Sequence, residues 1–332
     1  MNTKNLAFRT LVATVPVLLT ACSGPDLSYE ISGPGAGPGL VPNWQTLTDG
    51  PITAWGINTG DGRLVLNDVA YTSQDAIVTV NGRPALPAEL RPGQVVLLRG
   101  QIDSGGLTGS ADRIDRDARL LGPVETLDAS NERLVVMGQA VQAGAGTVFA
   151  AGIDPSSYAG LPIGSNVEVS GYARADGTVL ATRIEPAAPT APLRLVGDVH
   201  DLDLSSFRFS VGSLTVDYSQ ALVIDLPGGA PGIGMPIRAT GNLAGGRFVV
   251  ETLAAAPALP VTTGRRLQIA GVVTRFVSST DFDVNDVAVT TAVTTWFNHG
   301  VRNDLALDVE LVIDGHAASN GRITAERVTF GR

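Results

Sequence analysis

Beyond residue 50 the chain is a succession of short runs in which apolar residues cluster or alternate with polar ones. Asn166-Val167-Glu168-Val169-Ser170 and Phe282-Asp283-Val284-Asn285 are two of them. Each run stops at glycine, asparagine, aspartate or proline. A period of two places successive side chains on opposite faces, so these runs predict strands and the breakers predict turns. No amphipathic helical stretch of real length is present. Glu89–Arg91 and Pro155–Ala159 are expected to form single turns.

The runs recur as a unit, and the unit occurs four times. Each copy opens on a glycine, at Gly56, Gly122, Gly197 and Gly271, spaced 66, 75 and 74 residues apart. About ten residues on comes a hairpin-like run: Leu64–Val69, Leu134–Gly138, Phe207–Gly212 and Phe282–Val287. A strand ending in glycine follows, at Gly100, Gly171, Gly241 and Gly315, and its first three copies carry Gly93, Gly164 and Gly234 seven residues earlier. The fourth has Asp308 there and departs from the pattern. A glycine turn (Gly106, Gly177, Gly246, Gly321) and a closing strand end each copy. Three closing strands read Ala-x-Arg-Ile/Val, as in Ala181-Thr182-Arg183-Ile184. These boundaries divide the chain into units 54–120, 121–185, 193–256 and 266–332. Five or six strands in about 70 residues suit a small closed or nearly closed barrel, which leaves few exposed edges.

The N-terminus reads as an address. Met1–Thr10 is short and basic, and Leu11–Leu19 is a largely apolar run of nine residues. That is far below the ~20 residues needed to span a bilayer and fits a signal-peptide core, so residues 1–21 are expected to be removed. Leu19-Thr20-Ala21-Cys22 resembles the lipobox of bacterial lipoproteins, which implies that Cys22 becomes the lipid-bearing N-terminus. Ser23 after it, rather than aspartate, implies the outer membrane of a two-membrane envelope. Cys22 is the only cysteine, so no disulfide within the chain and no cysteine-rich metal site can form. Residues 22–53 hold Gly33-Pro34-Gly35-Ala36-Gly37-Pro38-Gly39 and read as a flexible tether. The 33 steps from Cys22 to Trp55 reach at most roughly 110 Å.

Composition narrows the partners. With 44% hydrophobic and 17% charged residues, the chain is no disordered polyelectrolyte. Its net charge is −9, and loss of Lys4 and Arg9 with the leader would leave 21 basic against 32 acidic side chains. Nucleic-acid affinity comes largely from cations on phosphate, so nucleic acid is not an expected partner. Trp44, Trp55 and Trp296 are scattered. Gly264-Arg265-Arg266 reads as a solvated strand entrance. Arg113, Arg116 and Arg119 alternate with Asp112, Asp115 and Asp117 and read as a self-neutralised face.

The second copy shows the whole pattern: Gly122-Pro123-Val124, then Gly164-Ser165-Asn166-Val167 running to Gly171, then Gly177-Thr178-Val179-Leu180-Ala181-Thr182-Arg183-Ile184. It resembles the bacterial lipoprotein family of domain of unknown function 5666, and the resemblance extends over about Ala54 to Phe330. It implies an all-β fold of four tandem small OB-like β-barrels behind a lipoprotein signal peptide and tether. It brings no established activity and no catalytic residues.

Motifs for chemistry are absent. The chain has no G-x-S-x-G, H-E-x-x-H, P-loop or dinucleotide fingerprint. His200, His299 and His316 lie scattered over two repeats and are expected in loops or at the surface. His200-Asp201-Leu202-Asp203 is expected to be a polar turn rather than a metal site. Asp281–Asp286 fails as a calcium loop, because Asp286 stands where glycine is needed and Ala292 where glutamate is needed. Alternation there turns Phe282 and Val284 inward. No catalytic, cofactor or metal residue is therefore expected. The reading is a non-enzymatic binding or scaffold module anchored in the cell envelope, with an envelope protein or a surface glycan as its partner. The alternatives are a hydrolase with a site between repeats, and a passive spacer.

Overall fold

The computed structural model describes residues 49–331. The predicted leader, Cys22, the tether up to residue 48 and Trp44 lie outside the described residues. The structure is all-β: helical turns are limited, among the described residues, to short 3-10 segments such as Pro87–Glu89 and Arg302–Asp304. The expected turn at Glu89–Arg91 thus falls two residues earlier. No helix among the described residues is long and apolar enough to cross a membrane.

The first segment contains β1 (Gly50–Ile57), β2 (Leu64–Leu66), β3 (Val69–Thr72), β4 (Ile77–Val80), β5 (Arg83–Ala85), β6 (Val95–Ile102) and β7 (Thr108–Arg116). β1 starts four residues before the expected opening at Ala54. The second has β8 (Leu120–Asp128), β9 (Arg133–Val136), β10 (Gln139–Gln142), β11 (Val148–Phe149), β12 (Asn166–Ala173) and β13 (Val179–Pro186). The third has β14 (Leu193–Asp198), β15 (His200–Asp203), β16 (Arg208–Val211), β17 (Leu214–Asp217), β18 (Leu222–Ile224), β19 (Pro236–Ala244) and β20 (Arg247–Ala255). The fourth has β21 (Arg266–Ser278), β22 (Asp281–Val284), β23 (Val287–Asn298), β24 (Glu310–Ala317) and β25 (Ile323–Phe330).

The fourth segment shows the closure most plainly. β21 pairs antiparallel with β22, and β22 with β23. β23 runs parallel to β25, β25 antiparallel to β24, and β24 returns to β21. Five strands in the cyclic order 1-2-3-5-4-1 make a small closed barrel of the OB type. The second segment repeats the circuit through β8, β9, β10, β13 and β12. In the first, a single bridge, Asn58 to Leu66, makes the β1–β2 side.

Two glycine positions follow directly from this geometry. The glycine expected to end the fourth barrel strand lies inside it, two or three residues before its end, and sits at a β-bulge in every segment, between Arg99 and Gly100, Ser170 and Gly171, Thr240 and Gly241, or Asp314 and Gly315. A Cβ there would lie 2.0–2.2 Å from a carbonyl oxygen of the closing strand. The opening glycine lies against the hairpin turn. A Cβ on Gly122 would stand 2.3 Å from the Met137 sulfur, and one on Gly271 would stand 2.1 Å from the Asn285 amide. The Asp308 departure is accommodated too. Its φ of 63° matches the left-handed backbone of Gly93, Gly164 and Gly234. Its N–H bonds Val273 O at 2.9 Å, as Gly164 N–H bonds Val124 O at 2.8 Å. Aspartate is among the few residues that tolerate this region.

The segments do not pair in chain order. β1 runs parallel to β21, from Ile52 opposite Arg266 to Trp55 opposite Ile269, so the first segment joins the last. β8 lies antiparallel to β14, joining the second to the third. Two large sheets result, one from the first and fourth segments and one from the second and third. The core follows a different division. One apolar cluster runs from Leu120 to Leu253 through both middle segments. The first and fourth keep separate clusters, but Leu97 of β6 belongs to the fourth's and Trp55 packs against it. A fourth cluster, of Val95, Tyr172, Leu180 and Val272, ties three segments together.

Candidate functional site

The arginines expected to form a neutralised face do something else. Only Arg113 pairs within its own run, with Asp115 at 2.7 Å. Arg116 is buried, 1% exposed, and forms ion pairs with Glu168 and Glu185 of the second segment. Asn81 Nδ2 also donates to Glu168 at 2.8 Å, Gln94 Nε2 to Glu185 at 3.1 Å, and Arg183 Nη1 to Pro92 O at 3.0 Å. Burial raises the Glu185 carboxyl, but Arg183, Arg116 and the Gln94 amide outweigh it and hold Glu185 below the usual carboxylate range. Asp117 is held between Arg194 at 3.1 Å and Arg238 at 3.0 Å, which brings the third segment in. Arginine beside aspartate in sequence therefore neutralises carboxylates on other segments. The strand pairing decides this, not the local charge pattern.

Arg119 is the exception. It borders a cavity of about 200 Å³ to which all four segments contribute. Trp55 of β1 and Leu97 of β6 form one wall. Tyr172 of β12, Asp198 at the end of β14 and Asp286 in the β22–β23 turn form others, and Ala256–Leu259 passes alongside. Among the described residues the Arg119 guanidinium makes no hydrogen bond and no ion pair within 4 Å, and its Nε is buried without a partner. Burial lowers its proton affinity, while Asp198 and Asp286 act to raise it. Burial and the neighbouring Asp286 push the Asp198 carboxyl up, against Arg119 and His200. Tyr172 is 4% exposed, its hydroxyl is unpartnered, and burial raises its pKa. Asp115 and Asp117 also border the cavity, but Arg113, Thr79, Arg194 and Arg238 occupy their oxygens. The polar groups left unused are thus Arg119, Asp198, Asp286 and Tyr172. Of these, the Arg119 Nε and the Tyr172 hydroxyl are buried without a partner, Asp198 is half-buried and Asp286 is exposed. Buried polar groups in folded proteins are nearly always hydrogen-bonded, so the first two point to an occupant.

The residues weighed from sequence lie elsewhere. His200 is exposed and paired in register with Ser210, and His299 is exposed. His316 Nδ1 stands 2.9 Å from Glu326. The His200–Asp203 run is the strand β15, not the expected polar turn, and in it Asp201 accepts from Ser210 Oγ at 2.6 Å. Asp203 accepts from Ser205 and Ser206, which hold it down to about 2. Asp281 and Asp283 are occupied by Arg275 and Arg322 at 2.6–2.7 Å, and Phe282 and Val284 point inward, fully buried. Arg266 is not a solvated entrance: it is 7% exposed and bonds Asp314 at 2.7 Å. One signal for the cavity was present in the sequence. After the opening glycine the copies read Ile57, Pro123, Asp198 and Val272, so Asp198 is a charge where its counterparts are apolar.

Bulged glycines, the 1-2-3-5-4-1 circuit and two sheets of paired segments define a protein built of small closed OB-like β-barrels. Residues 122–185 and 270–329, in the second and fourth segments, match the family described as Domain of unknown function (DUF5666). No curated protein matches the chain.

Proposed function

We propose that this protein is a lipid-anchored lipoprotein of the cell envelope, sorted to the outer membrane, whose folded body is a non-enzymatic binding or scaffold module. Cys22 in its lipobox context and the glycine–proline tether support the anchor. The observation that carries the binding role is the cavity to which all four segments contribute, where the Arg119 Nε and the Tyr172 hydroxyl are buried without a partner. A passive spacer is disfavoured, because pairing of the first segment with the last prevents repeats from adding length end to end. The hydrolase reading draws on the raised Asp198 carboxyl in a cavity between repeats, but no histidine borders that cavity. The expected partner of the module is another envelope protein or a surface glycan, met at its outer surface, because the cavity is too small for either.

The test is a cross-linking pull-down in intact cells, comparing wild type with Cys22→Ser, alongside fatty-acid labelling of both. Label on the wild type alone and a reproducible partner are expected. An unlabelled wild type would remove the anchor. The absence of any reproducible partner, together with no small ligand bound by the purified protein, would remove the binding role.

A further inference from the structure

The ligand class can be argued from what the cavity leaves unsatisfied, and the argument rests on the binding reading above. Three charged groups without an ion-pair partner line one small space, with Arg119 and Asp198 half-buried and Asp286 exposed at its mouth. Arg119 offers guanidinium donors and uses none of them in side-chain bonds, while Asp198 and Asp286 accept no hydrogen bond among the described residues. The opposite charges are close enough to influence each other electrostatically, yet they stand more than the 4 Å of an ion pair apart. Groups placed to neutralise one another would have closed that gap, as Arg194 and Arg238 do on Asp117 at 3.0–3.1 Å. A gap held open between a cation and two carboxylates fits a molecule carrying an anion and a cation on adjacent atoms. The remaining wall is apolar and aromatic, with Trp55, Leu97 and Tyr172. A volume of about 200 Å³ is below the ~300–1,000 Å³ of drug-sized ligand sites. Polysaccharide and long peptide are therefore excluded by size.

We infer that the central cavity binds a small zwitterion with an apolar side chain, an apolar α-amino acid. Its carboxylate bonds the Arg119 guanidinium, its ammonium bonds Asp198 with Asp286 at the mouth, and its side chain lies against Trp55, Leu97 and Tyr172. Arg119 suits this role because a planar guanidinium grips a carboxylate through two parallel hydrogen bonds.

The experiment is calorimetric titration of the purified full chain with L-leucine, leucinamide and N-acetyl-leucine. These present both charges, the cation alone and the anion alone. Leucine is expected to bind most tightly. Arg119→Gln is expected to weaken leucine by about 10- to 100-fold, the cost of one charge-assisted contact, and to leave leucinamide unchanged or tighter. Asp198→Asn is expected to weaken leucinamide and spare N-acetyl-leucine. Retained binding of the unaffected analogue shows that each variant is folded. Leucinamide binding as tightly as leucine, with no response to Arg119→Gln, would overturn the zwitterion and leave a cation site, with the binding role intact. Binding of none of the three would overturn the inference, while the pull-down decides the binding role separately.

Discussion

The middle and outer pairs of segments solve the same problem in different ways. The second and third segments share one apolar core, in which Val136, Val199, Phe209 and Phe248 belong to a single cluster. Their backbone register is brief: Arg194 opposite Leu121 and Leu195 opposite Leu120. The first and fourth segments are joined by a longer register, Ile52–Trp55 on Arg266–Ile269, while their interiors stay separate except that Leu97 and Trp55 of the first pack against the fourth's cluster. Merged interiors couple two units through buried area, which scales at roughly 25 cal/mol per Å². A shared strand edge couples them through backbone hydrogen bonds, each of modest net worth. The middle pair should therefore unfold as one body, and the outer pair should be separable.

The largest expected effect is at the merged core. Phe209→Ala removes a fully buried ring and should cost about 3–5 kcal/mol in chemical denaturation. Loss of the second and third segments in a single transition is expected. Two transitions there would break the contrast. Next comes the shared edge. Thr53→Pro removes a ladder donor from a strand paired on both sides, at a cost of up to about 3 kcal/mol. Hydrogen exchange should then show loss of protection at Leu267–Ile269 with Leu120–Leu253 unaffected, whereas equal loss in both regions would show one cooperative body.

The polar seam between the first and second segments should be weaker still. Arg116→Met leaves Glu168 and Glu185 without their shared cation. The cost should be about 2 kcal/mol, below that of a fully buried pair, because both glutamates reach solvent. A neutral effect would show that the seam contributes orientation but no stability. The smallest effect concerns pH. Glu185 is held low in the folded state, so its contribution is full above its ordinary titration range and is lost as pH falls through the folded value. Asp198 is raised, so the folded protein takes up its proton earlier than the unfolded chain does. Its charge costs stability at neutral pH, and that cost fades on acidification. Asp198→Asn should therefore raise the melting temperature at pH 7 by about 2 °C and give no gain once Asp198 is protonated. A lower melting temperature at pH 7 would contradict that account.

Much of the barrel was legible in residue order. The hairpin turns at Asn67-Asp68 and Asn285-Asp286 have the positive φ values that asparagine and aspartate tolerate, whereas Met137 takes the same conformation before Gly138 without such a signal in its identity. The inward turn of Phe282 and Val284 followed from alternation alone. The roles of Arg116 and Arg119 were not legible. They stand three residues apart in one acidic run, yet one is paired across a seam and the other is unpaired at a cavity. Spacing along a strand fixes which face a side chain takes, but not which segment lies opposite.

The repeated glycines determined the barrel, because a bulge with a carbonyl about 2 Å from the missing Cβ admits no other residue without movement of the backbone. The pairing of first segment with last, the merging of one core and not the other, and the gathering of Trp55, Arg119, Tyr172, Asp198 and Asp286 around one space were decided only in three dimensions. The physical reason is range. Strand, turn and bulge are set by neighbours within one unit, whereas the packing of four similar units depends on surfaces brought together from distant parts of the chain.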